Sequence, residues 1–293
     1  MVKSVRRLIV GASVFATVSA IGSAPAFAAS IVNATVGGNA PFLTYTVVNG
    51  QTVVDSTNNV QAALDGGSSA PGGNVELFSN SETLSNAAFA SYTGTTSLQG
   101  TLGGKAITLS SLTLADWNTT LSSGKTLGQQ WFGDLLVAHN LSSWVGTPIT
   151  SNLFNLFTAN KGLQRFSDPN ISYVNQDEQT GLIKIGLAGH LNATPLLGLP
   201  PFLLRLMGTI QASELVKVSY NGQTPQYLYS FSATNSGLVS NDGTNSHNGN
   251  YEVTLQGDKP SQSVPEPSAL VGLVSLAGLI GAKQKLTKQT SAL

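Results

Sequence analysis

Six of the chain's fourteen basic residues sit in two short segments at its ends, and this segregation limits which part can fold as a soluble body. Lys3, Arg6 and Arg7 open the chain with no acid among the first 28 residues, and Lys283, Lys285 and Lys288 close it, again with no acid beside them. Each cationic group borders an apolar run, residues 8–24 at one end and 268–282 at the other. Outside the two ends the chain has eight bases against all fourteen acids, a balance of −6. The candidate folding unit is therefore the weakly acidic stretch 29–259. Its polarity comes from Ser, Thr, Asn and Gln, because charged residues are only 10% of the chain, against roughly 25% in an ordinary soluble domain. That balance excludes a nucleic-acid binder, which needs a clustered basic surface. The absence of cysteine excludes a disulfide framework and a thiolate metal site.

The first end reads as a secretory signal peptide over 1–28. A basic start, an apolar run broken by Pro25, and the small residues of Ala26-Phe27-Ala28 are the three parts of such a leader. Signal peptidase is expected to read Ala26 and Ala28 and to leave Ala29 as the new N-terminus, with the Sec machinery as export partner.

The other end, 260–293, is a polar linker followed by Val264-Pro265-Glu266-Pro267, the apolar run 268–282 and the three lysines. Fifteen helical residues rise about 22 Å, short of a hydrocarbon core of about 30 Å. The lysines hold the C-terminal side in the cytoplasm. The prolines on either side of Glu266 keep the motif extended, apart from the helix that follows and open to a protease. This three-part tail resembles the PEP-CTERM sorting signal of Gram-negative bacteria, though its basic end carries Lys where Arg is common. The resemblance covers about thirty residues. It implies processing by an exosortase after transient anchoring in the inner membrane, then release to the outer surface or extracellular matrix. It assigns an address and leaves the domain's activity open.

Between the ends, the pattern predicts a mainly β (α+β) fold: one antiparallel, β-rich domain with inserted helices, flanked by the signal peptide and the C-terminal membrane helix. Two β-branched runs around Asn49-Gly50 predict a hairpin. Asn74–Phe78, 97–102 and 106–114 alternate with period two. Apolar positions three and four apart predict helices over 127–139 and 152–159, the second capped by Thr150 or Ser151. Strands return at 171–174, 182–187, 216–220, 227–231 and 251–255, with Asn221-Gly222 as a second hairpin turn. The apolar, proline-broken segment 195–207 reads as a buried connection or short helix, with a membrane or partner contact as its alternative.

No catalytic residue, metal ligand or cofactor is assigned. Ser123-Gly124-Lys125-Thr126 ends like a phosphate loop, yet Thr119 stands where that loop needs its first glycine. His139, His190 and His247 show no metal-binding spacing, and no G-x-S-x-G elbow marks a nucleophile. A hydrolase would need His139 or His190 to meet Asp134 and a serine. The oxygen-rich runs 175–178 and 241–245 depart from calcium-loop spacing and read as turns. Trp117, Trp131 and Trp144 form either a sugar-stacking platform or a core. The expectation is an exported, non-enzymatic surface or matrix protein. A carbohydrate-binding module acting on extracellular polysaccharide is the alternative, and a secreted hydrolase comes third.

Overall fold

The computed structural model describes residues 28–259. The leader up to residue 27, the motif Val264–Pro267 written above, the segment 268–282 and the closing lysines lie outside the described residues. The chain divides into two compact units, Met1–Lys259 and Pro260–Leu293, and everything described belongs to the first. Among the described residues no helix is long and apolar enough to cross a membrane.

Strands come first and last. The N-terminal part holds β1 (Ala28–Ser30), β2 (Val32–Gly38), β3 (Phe42–Val48), β4 (Gln51–Val54), β5 (Gly66–Gly67), β6 (Ala70–Pro71), β7 (Gly73–Leu77), β8 (Thr96–Leu102) and β9 (Lys105–Ser110). After a helical stretch follow β10 (Asn170–Asp177), β11 (Leu182–Gly189), β12 (Val216–Tyr220) and β13 (Gln226–Leu228). The last strands are β14 (Ala233–Asn235), β15 (Val239–Ser240) and β16 (Gly249–Gln256). The helices are α1 (Val60–Ala63), α2 (Asn86–Ser91), α3 (Leu114–Trp117), α4 (Leu127–Ala138), α5 (Pro148–Ala159), α6 (Gly162–Arg165) and α7 (Pro201–Met207).

Two main sheets result. The larger runs β14-β16-β11-β10-β7-β3-β4-β15, with β1 added beside β10 where β7 no longer pairs, and the smaller runs β13-β12-β9-β8-β2. Every pairing is antiparallel except β4 with β15. Leu98, Leu109 and Val218 of the small sheet share one apolar core with Val75, Ile171, Ile185 and Val253 of the large one. Among the described residues this core runs from Ile31 to Leu255. The fold is mainly β, as the alternation predicts.

Turn chemistry sets the hairpins. Asn49 and Gly50 both take positive φ, 50° and 77°, and Val48 pairs with Gln51, the two-residue turn that matches strand twist. Asn221-Gly222 also turns with positive φ, but pairing resumes only at Gln226. The predicted strand 227–231 therefore ends at Leu228. The Ser213 amide donates to Ser230 O and the Ser230 amide to Ser213 Oγ, which holds the chain as it turns away, and Tyr229 and Phe231 pack against a second core.

Two local signals differ from the expectations, and a third agrees. The strand predicted to Leu114 stops at Ser110, because Asp116 accepts hydrogen bonds from the Thr113 amide and hydroxyl, both at 2.9 Å, and starts α3. Helix α5 begins at Pro148, well before Thr150, since proline suits the first helical position. Thr126 and Gln129 cap each other's amides at the head of α4, so Lys125-Thr126 is a turn and helix start.

The second core forms where the helices meet. Trp131 on α4 sits among Phe166 at 4.7 Å, Phe157 at 5.4 Å and Trp117 at 5.9 Å between ring centres. Gly162 lets α6 approach, because a Cβ there would come within 2.2 Å of the Phe157 ring. Trp131→Ala is expected to cost about 3–5 kcal/mol of stability, measured by denaturant unfolding. Trp144→Ala, at a partly exposed position, should cost clearly less.

Candidate functional site

Strand alternation gives the large sheet two unlike faces. Val75, Ile171, Leu187 and Tyr251 lie in one cross-strand row and face the shared core. One residue away, Glu76, Asn170, Ala188 and Asn250 form the adjoining row, and pairing with period two turns them to the opposite face. Such a face is ordinarily wet, yet Asn74, Asn170, Ser172 and Asn250 are all buried. The loop carrying β5 and β6 covers part of it: the Asn250 amide donates to Ser68 O at 3.2 Å and the Asn175 amide to Gly66 O at 3.3 Å.

Titratable groups gather here. The Tyr45 hydroxyl donates to Glu76 Oε2 at 2.8 Å, and the Tyr45 ring meets the His247 ring edge-on at 4.6 Å. Ser81 donates to Asp168 Oδ2 at 2.6 Å, and the Asn170 amide to Glu214 Oε2 at 2.9 Å. The two described ion pairs, Lys184–Glu252 and Lys217–Asp116, leave Glu76, Asp168 and Glu214 without a cation. Burial pushes the Glu76 carboxyl up to about 7, against the lowering effect of the Tyr45 hydrogen bond. Burial and then the neighbouring Glu76 charge hold Asp168 well above the usual carboxylate range, and burial and then Asp168 do the same to Glu214. The histidines respond oppositely, since burial disfavours their cation. His247 falls to about 4, and His190 is lowered as well.

Several oxygens in this region have no partner among the described residues. Asn74 Oδ1, Asn170 Oδ1 and Asn250 Oδ1, with Ser172 Oγ and Asp168 Oδ1, are all buried and unpaired. The site thus sets carboxyls and phenols, all raised by burial, beside amide oxygens. This set can hydrogen-bond uncharged polar groups and take up or release protons near neutrality. Among the described residues no three His, Asp or Glu side chains group to hold an ion.

The residues singled out from sequence fall elsewhere or take bland roles. His139 ends α4, and its Nε2 lies 2.9 Å from Gln211 O and 3.2 Å from Gln211 N. Asp134 instead accepts from Gln130 at 2.8 Å and Tyr229 at 2.7 Å, so it joins neither His139 nor His190 in a triad. His247 pairs with Thr52 Oγ1 at 2.7 Å, sealed inside the protein. Asp177 and Asp242 accept the amides of their own turns, at Gln179 and Thr180 and at Thr244. Trp117 and Trp131 are 1% and 0% exposed, which removes the sugar-stacking platform of three tryptophans. Of the signal-peptidase residues, Ala28 and Ala29 stand in β1, paired with Asp177 and Gln176. Sequence reasoning missed Tyr45, Glu76, Asp168 and Glu214. The one available signal was Asn74-Val75-Glu76-Leu77, where alternation sets Glu76 against its apolar neighbours.

These shifts link stability to pH. A carboxyl raised by folding gives its full contribution below its unfolded value and loses it as pH rises through the folded one. For Glu76 that window runs from 4.5 to about 7. A glutamine keeps an oxygen for the Tyr45 hydroxyl and removes the titration. Glu76→Gln is therefore expected to gain on the wild type by about 2–3 kcal/mol between pH 4 and pH 8. Urea unfolding across that range measures the difference, in which the opposite contribution of His247 cancels. A comparison with known proteins finds no family model, no curated protein and no solved structure that matches this chain.

Proposed function

We propose that the chain is a non-enzymatic surface or extracellular-matrix protein, exported through the Sec pathway and sorted by an exosortase acting on its C-terminal tail. The observation that carries this reading is the ordered tail itself: Val264-Pro265-Glu266-Pro267, then the apolar run 268–282, then Lys283, Lys285 and Lys288. The motif begins eight residues beyond Gln256, where the last described strand ends, so a cut there leaves every described core residue in the body. A cysteine-free sandwich with an aromatic second core also suits an oxidising compartment, because it needs neither a disulfide nor a reduced thiol.

The test is expression of the full chain in a host with an exosortase, read by the size and compartment of the product. Wild type is expected to lose its tail and reach the surface or medium. Glu266→Ala and deletion of 264–293 are expected to abolish that processing, the first leaving the uncut chain in the inner membrane. Normal cleavage and export of Glu266→Ala would defeat the reading.

A further inference from the structure

Helix α7, Pro201-Phe202-Leu203-Leu204-Arg205-Leu206-Met207, is apolar at every position but Arg205, so packing one face leaves apolar side chains in water on another. Leu203, Leu204 and Met207 pack on the second core, while Phe202 and Leu206 remain 69% and 65% exposed. These two are the most exposed large apolar side chains of the described residues, and their spacing of four places them on one face. Arg205 is exposed beside them.

A second element extends the face. Ile149 and Leu156 on α5, 48% and 37% exposed, are seven residues apart and share a side that leads to Asn160. Arg165 fastens this end of α5 to the turn before α7, donating to Asn160 O at 2.7 Å and to Leu196 O at 3.1 Å. Lys161 follows Asn160 directly and reaches Glu82 O at 3.2 Å, and Asn160 and the Arg165 guanidinium lie against Gly198 in the turn before α7, so partly exposed Lys161 and Arg165 stand near the start of α7 and exposed Arg205 stands on it. Glu82 is the acid that feels Lys161 and Arg165.

We propose that α7 and the exposed side of α5 form a docking surface for a lipid bilayer with anionic headgroups. Phe202 and Leu206 insert among the acyl chains, and Arg205, Arg165 and Lys161 lie at headgroup level. Apolar burial combined with local cations is what holds an interfacial helix on such a surface. The choice of lipid over a second protein rests on this charge complementarity: the body as a whole is acidic, yet its exposed apolar face is bordered by cations. The contact is independent of the tail, and the sorting reading can fail without it.

The experiment uses residues 29–259, which enclose both cores, to keep the apolar tail out of the measurement. Co-sedimentation with vesicles of phosphatidylethanolamine and phosphatidylglycerol should retain the wild-type domain. The Phe202→Ser, Leu206→Ser double variant, checked for folding by circular dichroism, should bind at least about tenfold more weakly. Phosphatidylcholine vesicles and Arg205→Gln should each weaken binding. Unchanged binding by the double variant would overturn the proposal, as would no wild-type binding or equal binding to phosphatidylcholine. A wild-type dimer that the double variant converts to monomer, without lipid binding, would assign the face to a second copy.

Discussion

The register of β10 between β7 and β11 is the constraint on which the rest depends. Ile171 pairs with Val75 and Leu187, and Asn170 pairs with Glu76 and Ala188. Because strand side chains alternate, one choice of register sends an aliphatic row into the core and a polar row to the opposite face. A slip of one residue would turn Asn170 into that core and Ile171 into the buried polar row. The same choice that builds the core therefore creates the carboxyl and amide cluster. The cluster is a consequence of the fold as well as a candidate site.

How much of this was legible follows from the range of each interaction. The Asn49-Gly50 hairpin, the alternating strand β8 and helix α4 depend on neighbours a few residues away, and local pattern was enough. The burial of Glu76 depends on segments far along the chain. Its face is closed by the Ser68 loop and by groups near Asp242 and His247. Nothing in Asn74-Val75-Glu76-Leu77 reports those covers, so alternation alone reads Glu76 as wet. The tryptophans show the same division. Trp131 lies on a face predicted to be apolar, but only the arrival of Phe157, Phe166 and Phe231 decides that it is core.

Stability is divided between the two cores in different ways. The sandwich core relies on aliphatic rows held by long antiparallel ladders, above all β11 with β16, which pair over eight positions. The helical core relies on a few large rings around Trp131, whose indole nitrogen has no hydrogen-bond partner, whereas Trp117 donates to Ser167 Oγ at 2.8 Å. Against these stands the cost of three buried carboxyls without cations. A domain that carries this cost and no disulfide depends on packing for its margin.

The buried acids also change the charge that the body presents. Formal counting gives the body, residues 29–259, eight bases against thirteen acids. Asp168 and Glu214 are held well above the usual carboxylate range, and Glu76 titrates near neutrality. At a pH where such a carboxyl holds its proton, it adds nothing to the repulsion between the domain and an anionic surface. Arg205, exposed on α7, then acts against a smaller opposing charge than composition implies. Burial on one face of the large sheet and exposure on α7 both make the domain less hostile to a negatively charged layer. A salt titration of the folded domain's electrophoretic mobility would register that smaller charge directly, since screening acts only on charges that are present.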